Sequence, residues 1–272
     1  MNLQSFSVKQ DILFGIGAVA KLPEKMKELK GKKALLVSDP GLIEAGTTGK
    51  IEKILKDAGI DYAVFSHIEP DPGCWIVHEC RDRIMEENCD ILVALGGGSA
   101  MDTAKSASII GYTGKRIHDY WGYYKPVDNE TIPVIAIPTT AGTGSEVTRN
   151  TVITDEEHYK MVILNDKMLP EVALLDPEMI MTCPVSVAAA SGLDAMIHAV
   201  ECYLSDLATP FSDAVAEKAM ELIGPALPRF VANRKDVQAA SDMLMGSTLA
   251  GITLSLCLPT QAHALSHPLT GY

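Results

Sequence analysis

Apolar residues follow two different rhythms along the chain, and the change falls near residue 183. Before it, short β-branched runs at 33–39 (KALLVSD), 61–66 (DYAVFS), 90–96 (DILVALG) and 132–138 (IPVIAIP) alternate with stretches of helical period such as 48–58 and 75–87. Strand and helix in alternation predict βαβ units and a parallel sheet. The run ILVAL is apolar at every position, as expected of a strand covered on both faces. After Pro184 the strand signals stop, and 185–204, 209–223 and 237–256 read as helices. Thr209–Pro210 supplies a cap followed by proline at the first helical position. The pattern therefore predicts an α/β domain with a parallel, Rossmann-like sheet over 1–183 and an all-α domain over 184–272. The helix at 237–256 is apolar on most of its circumference and needs cover on several sides. Few residues follow it, so the expectation is that its cover is incomplete.

At 272 residues the chain can bury a large core and hold two domains. A net charge of −12 argues against nucleic acid, because phosphate binding needs a basic stripe and none is present. The densest basic run, 30–33, is read as a solvated turn. The first eleven residues lack the apolar core of a secretory signal. No uncharged apolar run approaches the roughly 20 residues of a membrane span. Six cysteines without a C-x-x-C pair or framework spacing read as reduced thiols in a cytoplasmic protein.

Chemistry enters first at 90–108. A buried strand runs into Gly96, Gly97, Gly98 and Ser99 and then into a helix. Glycines let the backbone approach an anion, and the helix start offers free N–H groups and a partial positive charge. The plainer reading is a tight turn, for which one glycine would suffice. The spacing is not G-x-G-x-x-G, so a standard dinucleotide fingerprint is absent. Asp39 closes an earlier strand, where a carboxylate can bond ribose hydroxyls and repel a 2′-phosphate, favouring NAD over NADP. Asp39–Pro40–Gly41 is equally a turn sequence. The stretch 136–148 gathers Thr139, Thr140, Thr143 and Ser145 around two glycines, suited to a nucleotide's sugar and second phosphate. Its plainer reading is a turn with Ser145 as an N-cap.

Two helical i, i+4 pairs follow, Asp194 with His198 and His263 with His267. An aspartate among apolar residues is costly unless paired or coordinated. One carboxylate with imidazoles suits Fe(II) or Zn(II) and disfavours Ca or Mg. Taken one at a time, each histidine is also compatible with an ordinary structural role. The aromatic stretch 118–124 (HDYWGYY) reads as packing or a subunit contact more readily than as cleft wall.

The segments GGGSAMDTAK, IPTTAGTGSEVT, GLDAMIHAVE and HALSHPLTGY, in this order, resemble the iron-containing alcohol dehydrogenase family, with FGIGAVAKL and EPDP fitting the same pattern. The resemblance implies a nucleotide-binding α/β domain, a helical domain and an active site in the cleft between them. It implies metal ligation by Asp194, His198 and His263, and proton transfer assisted by His267. It also implies cofactor contacts from Asp39, Gly97, Gly98, Ser99, Asp102, Thr139, Thr140, Thr143, Ser145 and Lys160. The implied reaction is hydride transfer between a primary alcohol or diol, or the corresponding aldehyde, and NAD(H), in a homodimer or higher homo-oligomer. The alternatives are a zinc-dependent polyol oxidoreductase of glycerol dehydrogenase type and a catalytically impaired nucleotide-binding fragment. The family's pattern continues to one more histidine ligand and further helices beyond His267. The expectation is therefore of a chain truncated before its metal site closes.

Overall fold

A computed structural model describes residues 9–257 and 261–269, apart from the side chains of 261 and 267–269. The strands are β1 (Asp11–Phe14), β2 (Lys33–Val37), β3 (Asp61–Phe65), β4 (Ile91–Gly96), β5 (Gly122–Tyr123), β6 (Val134–Pro138), β7 (Asn150–Thr154), β8 (Lys160–Leu164) and β9 (Val172–Leu175). Among them lie α1 (Leu22–Glu28), α2 (Pro40–Glu44), α3 (Thr47–Asp57), α4 (Cys74–Glu87) and α5 (Gly98–Ile110). After β9 come α6 (Pro177–Ile180), α7 (Val185–Tyr203), α8 (Pro210–Ala232), α9 (Val237–Leu256) and α10 (Gln261–Leu269).

Six strands form one parallel sheet in the order β1-β9-β6-β4-β2-β3. The uniformly apolar strands alternate in space as a pleat requires. Leu35 and Val37 of β2, with Leu92 and Ala94 of β4, face the core that includes α4 and α5. Ala34 and Leu36, with Ile91, Val93 and Leu95, face the opposite core with α1 and α3. From β2 the chain moves outward to β3, and from β4 it moves the other way to β6. The crevice between β2 and β4 is thus the switch point, where doubly wound sheets bind ligands outside the carboxyl ends of their strands.

Two features of the fold leave no clear periodic trace in the sequence. The edge strand β1 and its neighbour β9 are only four residues long, too short for a periodic signal. A second sheet, β5-β8-β7, pairs β7 with β8 antiparallel and hangs from the loop region beyond the main sheet.

Helices α7, α8 and α9 pack mainly on one another around a third core containing Ala195, Ala219, Phe230 and Met243. Two expectations are corrected here. Helix α8 does not stop at 223 but continues to Ala232, past Pro225 and Pro228. Each proline removes one hydrogen bond, and burial of Ala226 and Phe230 on the far side offsets that loss. Helix α9 is not uncovered: α6, α7, α8 and the 144–147 loop bury most of it, while Met245, Leu249, Ile252, Leu254 and Leu256 stay partly buried. Gly246 faces Ile223 of α8, and Gly251 faces Gly144, so small residues let the neighbours approach closely. Helix α7 is long and apolar enough by composition to cross a bilayer, yet it packs against α8 and α9.

Candidate active site

Three consecutive strands of the main sheet deliver candidate residues to its carboxyl edge. β2 ends before Asp39, β4 runs into Gly97, and β6 runs into Thr139 and Thr140. Gly97 is the N-cap of α5, and no side chain caps that helix. Its first-turn N–H groups are available to an anion. A Cβ on Gly97 would lie 3.1 Å from Thr140 Oγ1, and one on Gly98 would lie 2.9 Å from Thr143 Cγ2. The glycine loop and the hydroxyl loop therefore approach closely, and a side chain on either glycine would have to displace Thr140 or Thr143. Asp39 caps α2, accepting the Leu42 amide at 3.0 Å. Its other carboxylate oxygen lies on the Gly96 side. The turn reading of Asp39 is thus correct as local structure, and the side chain also stands at the switch point.

The hydroxyl loop is held from beneath by a residue that the motif reading missed. Lys105 is wholly buried, and its Nζ donates to the Asn150 carbonyl at 2.7 Å and to the Ser145 carbonyl and hydroxyl at 3.0 and 2.9 Å. Burial pushes its ammonium down to about 8, against the pull of Asp102 and Glu146. Ser145 is not an N-cap; its Oγ donates to Asp102 at 2.6 Å. The second Asp102 oxygen accepts the Val152 amide at 2.8 Å. Burial raises the Asp102 pKa, with Lys105 the main opposing influence. Asp102 and Lys105 are one helical turn apart on α5, which is the signal that could have exposed the pair.

The helical layer reaches the same place because two glycines permit close docking. A Cβ on Gly142 would sit 2.5 Å from Ser191 Cβ of α7. A Cβ on Gly144, at φ +63°, would sit 2.5 Å from Gly251 Cα of α9. That docking sets Asp194 and His198 over the loop. The donor atoms of Asp194, His198 and His263 all lie within 4.8 Å of one another. His198 Nε2 and His263 Nε2 stand 3.7 and 3.5 Å from Asp194 Oδ1. The two imidazoles stack with centroids 4.5 Å apart and planes at 16°.

Glu201, also unforeseen, orients this group. It accepts from the Ala262 amide at 2.5 Å and bonds His263 Nδ1. A carboxylate on one ring nitrogen fixes the tautomer and aims the other nitrogen at the cluster. Asp194, His198 and Glu201 fall at i, i+4 and i+7 on α7, a single helical face. Burial lowers the pKa of His198, which favours the neutral imidazole that ligation requires. Burial opposes ionisation of Asp194, yet His263 and His198 hold its carboxyl below the ordinary value. His263 is raised, chiefly by Asp194. His198 Nδ1 is buried without a hydrogen bond of acceptable geometry, although the Gly142 backbone lies beside the ring. A carboxylate and two converging imidazoles fit a divalent transition metal.

One cleft of about 530 Å³ joins the two halves. Its walls include Gly98, Ser99, Asp102, Thr143, Ser145 and Lys160 from the cofactor candidates, together with Asp194, His198 and His263. Asp39, Gly97, Thr139 and Thr140 lie outside that wall, along the sheet edge. Lys160, on β8, pairs with Asp71. The small sheet supplies one side of the cleft, and with it Tyr123, so the aromatic stretch is partly cleft wall, contrary to expectation. The side chain of His267 lies outside the described residues.

A doubly wound sheet with a glycine loop at its switch point, facing a metal-donor cluster on a helical layer, is the build of a metal-dependent dehydrogenase. The chain belongs to the iron-containing alcohol dehydrogenase family. Residues 9–177 match the family's iron-containing alcohol dehydrogenase model, and 188–272 match its C-terminal one. An NAD-dependent methanol dehydrogenase of Bacillus methanolicus is 40% identical over 270 residues, covering 99% of this chain and 71% of that protein. The crystal structure of a 1,3-propanediol oxidoreductase superposes with a TM-score of 0.95 at 37% identity, covering 99% of this chain and 71% of the other. A sulfoacetaldehyde reductase from Bifidobacterium kashiwanohense, solved with NAD+, gives a TM-score of 0.93 at 32% identity, with 99% and 72% covered. The activity class is NAD(H)-linked oxidoreduction of alcohols.

Proposed function

We propose that this protein transfers hydride between a primary alcohol or diol and NAD(H), using Fe(II) held by Asp194, His198 and His263. The supporting observation is that the donor cluster and the uncapped start of α5 face one cleft. In this reading residues 1–183 bind the dinucleotide and residues 184–272 present the metal ligands. The pyrophosphate lies against Gly97, Gly98 and Ser99, and Asp39 takes the adenosine ribose. Thr139, Thr140, Thr143 and Ser145 line the sugar and phosphate path, held by Lys105 and Asp102, with Lys160 on the opposite wall. The ion supplies Lewis-acid stabilisation of negative charge at the reacting oxygen. The chain's own part is to orient the ligands through Glu201, to position the nicotinamide, and to pass the alcohol proton onward, a role assigned to His267. Six buried, unpaired cysteines support a reducing, cytoplasmic setting, and the working unit is taken as a homodimer. The same donors suit Zn(II), so the metal is identified by elemental analysis after anaerobic purification. Chelation should abolish NAD+ reduction by short-chain alcohols, and Fe(II) should restore it. Full turnover in metal-stripped protein would refute the reading.

Cofactor choice gives a second test. With Asp39 on the ribose, NAD(H) should bind at least tenfold tighter than NADP(H), about 1.4 kcal/mol. Asp39→Asn should narrow that gap while keeping the cap on α2, since asparagine caps as well as aspartate. Nicotinamide fluorescence titration reads both affinities. Equal affinities in the parent protein would remove Asp39 from the site.

A further inference from the structure

A second set of metal-binding side chains lies away from the cleft. The donor atoms of Cys74, His118 and Glu156 all lie within 4.8 Å of one another, the same convergence as in the Asp194 cluster. None of the three lines the cleft. They come from the first residue of α4, the 3-10 turn Ile117–Tyr120 and the β7–β8 turn.

Each of these segments is pinned independently. The Thr154 amide donates to the Pro72 carbonyl at 2.9 Å, and Gly73 bridges Thr154, so the β7–β8 hairpin is stitched to the start of α4. Asp155 Oδ1 accepts the Glu157 and Tyr159 amides at 2.9 and 2.8 Å, which fixes the turn carrying Glu156. His78 Nε2 accepts the Ile117 amide at 3.2 Å, and Asp119 accepts that of Arg116 at 3.0 Å. The donors are therefore held in place by contacts other than those among themselves.

Glu156 Oε2 lies 2.8 Å from His118 Nε2, while Oε1 takes Arg116 at 2.6 Å. An ion-pair network alone would account for Arg116, Glu156 and His118. The Cys74 thiol is also hydrogen-bonded to Glu156, and the network leaves one feature unused: His118 Nδ1, which is buried without a hydrogen bond. A thiolate, an imidazole and a carboxylate are a donor set for a borderline divalent cation and not for Ca or Mg. With metal–sulfur near 2.3 Å and metal–nitrogen near 2.0 Å, tetrahedral donors stand about 3.5 Å apart. Reaching that spacing takes shifts of about 1 Å, the His118–Glu156 pair opening from 2.8 Å, with Glu156 at the surface providing access.

We propose that Cys74, His118 and Glu156 form a second divalent-cation site, suited to Zn(II), which clasps the β7–β8 hairpin to α4. On binding, the metal–sulfur bond forms as the Cys74 proton leaves to solvent, and water completes the coordination. Among the described residues no other thiol stands in such a cluster of donor side chains.

Cobalt(II) separates this site from the cleft, because the Asp194 cluster contains no sulfur. Metal-free protein titrated with Co(II) should take up two ions per chain and develop a thiolate-to-cobalt charge-transfer band in the near ultraviolet. Cys74→Ser and His118→Gln should each lose the band and one ion while keeping the other ion. Circular dichroism checks that both variants fold, and His118→Gln carries the test if Cys74→Ser does not. One ion per chain with no band would overturn the proposal, as would a band that survives in folded Cys74→Ser. Neither result depends on hydride transfer.

Discussion

Asp194→Ala is expected to weaken divalent-metal binding at least 100-fold and to reduce alcohol oxidation to background. Asp194 is the only carboxylate among the three donors, and both histidine Nε2 atoms converge on its Oδ1. Its removal leaves two stacked imidazoles without the negative charge that offsets a dication. Structural zinc sites release roughly 10–16 kcal/mol through four ligands, so one ligand carries about 2.5–4 kcal/mol. That corresponds to a loss of a few hundredfold in affinity. Asp194→Asn keeps the side-chain shape and should still bind poorly, which separates charge from packing. Glu201→Gln tests the orienting contact. Loss of such a partner typically costs 10–100-fold in metal affinity, a smaller effect than loss of the ligand itself. Metal content after dialysis and NADH absorbance with short-chain alcohols measure both steps. Stoichiometric metal in dialysed Asp194→Ala would place the ion elsewhere.

Gly97→Val should eliminate NAD binding, with at least a 100-fold loss, and leave the fold intact. Gly97 sits at φ −85°, ψ −162°, an extended conformation open to any residue, so no left-handed backbone is lost. The obstacle is space. An added Cβ falls 3.1 Å from Thr140 Oγ1, and valine's methyls reach further into the contact between the two loops. The branched side chain would occupy the point where a pyrophosphate must meet the amides of α5. Metal content should stay at the parent level, because Asp194, His198 and His263 lie on other elements. Unchanged far-ultraviolet circular dichroism with unchanged NAD affinity would reduce the glycine loop to a turn. Loss of metal together with NAD would indicate a folding defect instead.

Much of this protein is legible in local sequence. Strands β2, β3, β4 and β6 and helices α7 and α9 are visible in the period of their apolar residues, because each must bury one or both faces. The glycine loop, the hydroxyl loop and the two i, i+4 pairs are local patterns with a local physical meaning. Asp194 and His198 share a helix face simply through the pitch of that helix. What sequence could not decide is which of these patterns meet. Asp194 and His263 are 69 positions apart, and only the packing of α10 against α7, with Glu201 bonding Ala262 and His263, brings them together. Locally, Lys105 is one helical lysine three residues after Asp102. It became a buried support only where β7 and the hydroxyl loop closed over it, since burial and partner identity are properties of the packed molecule. The same holds for Glu201, which has no meaning until α10 lies beside it. It holds for the small sheet, whose short strands carry weak periodicity yet wall the cleft. Cys74, His118 and Glu156 show no shared spacing at all. Long-range convergence of this kind depends on topology and close packing, and neither leaves a periodic trace in the chain.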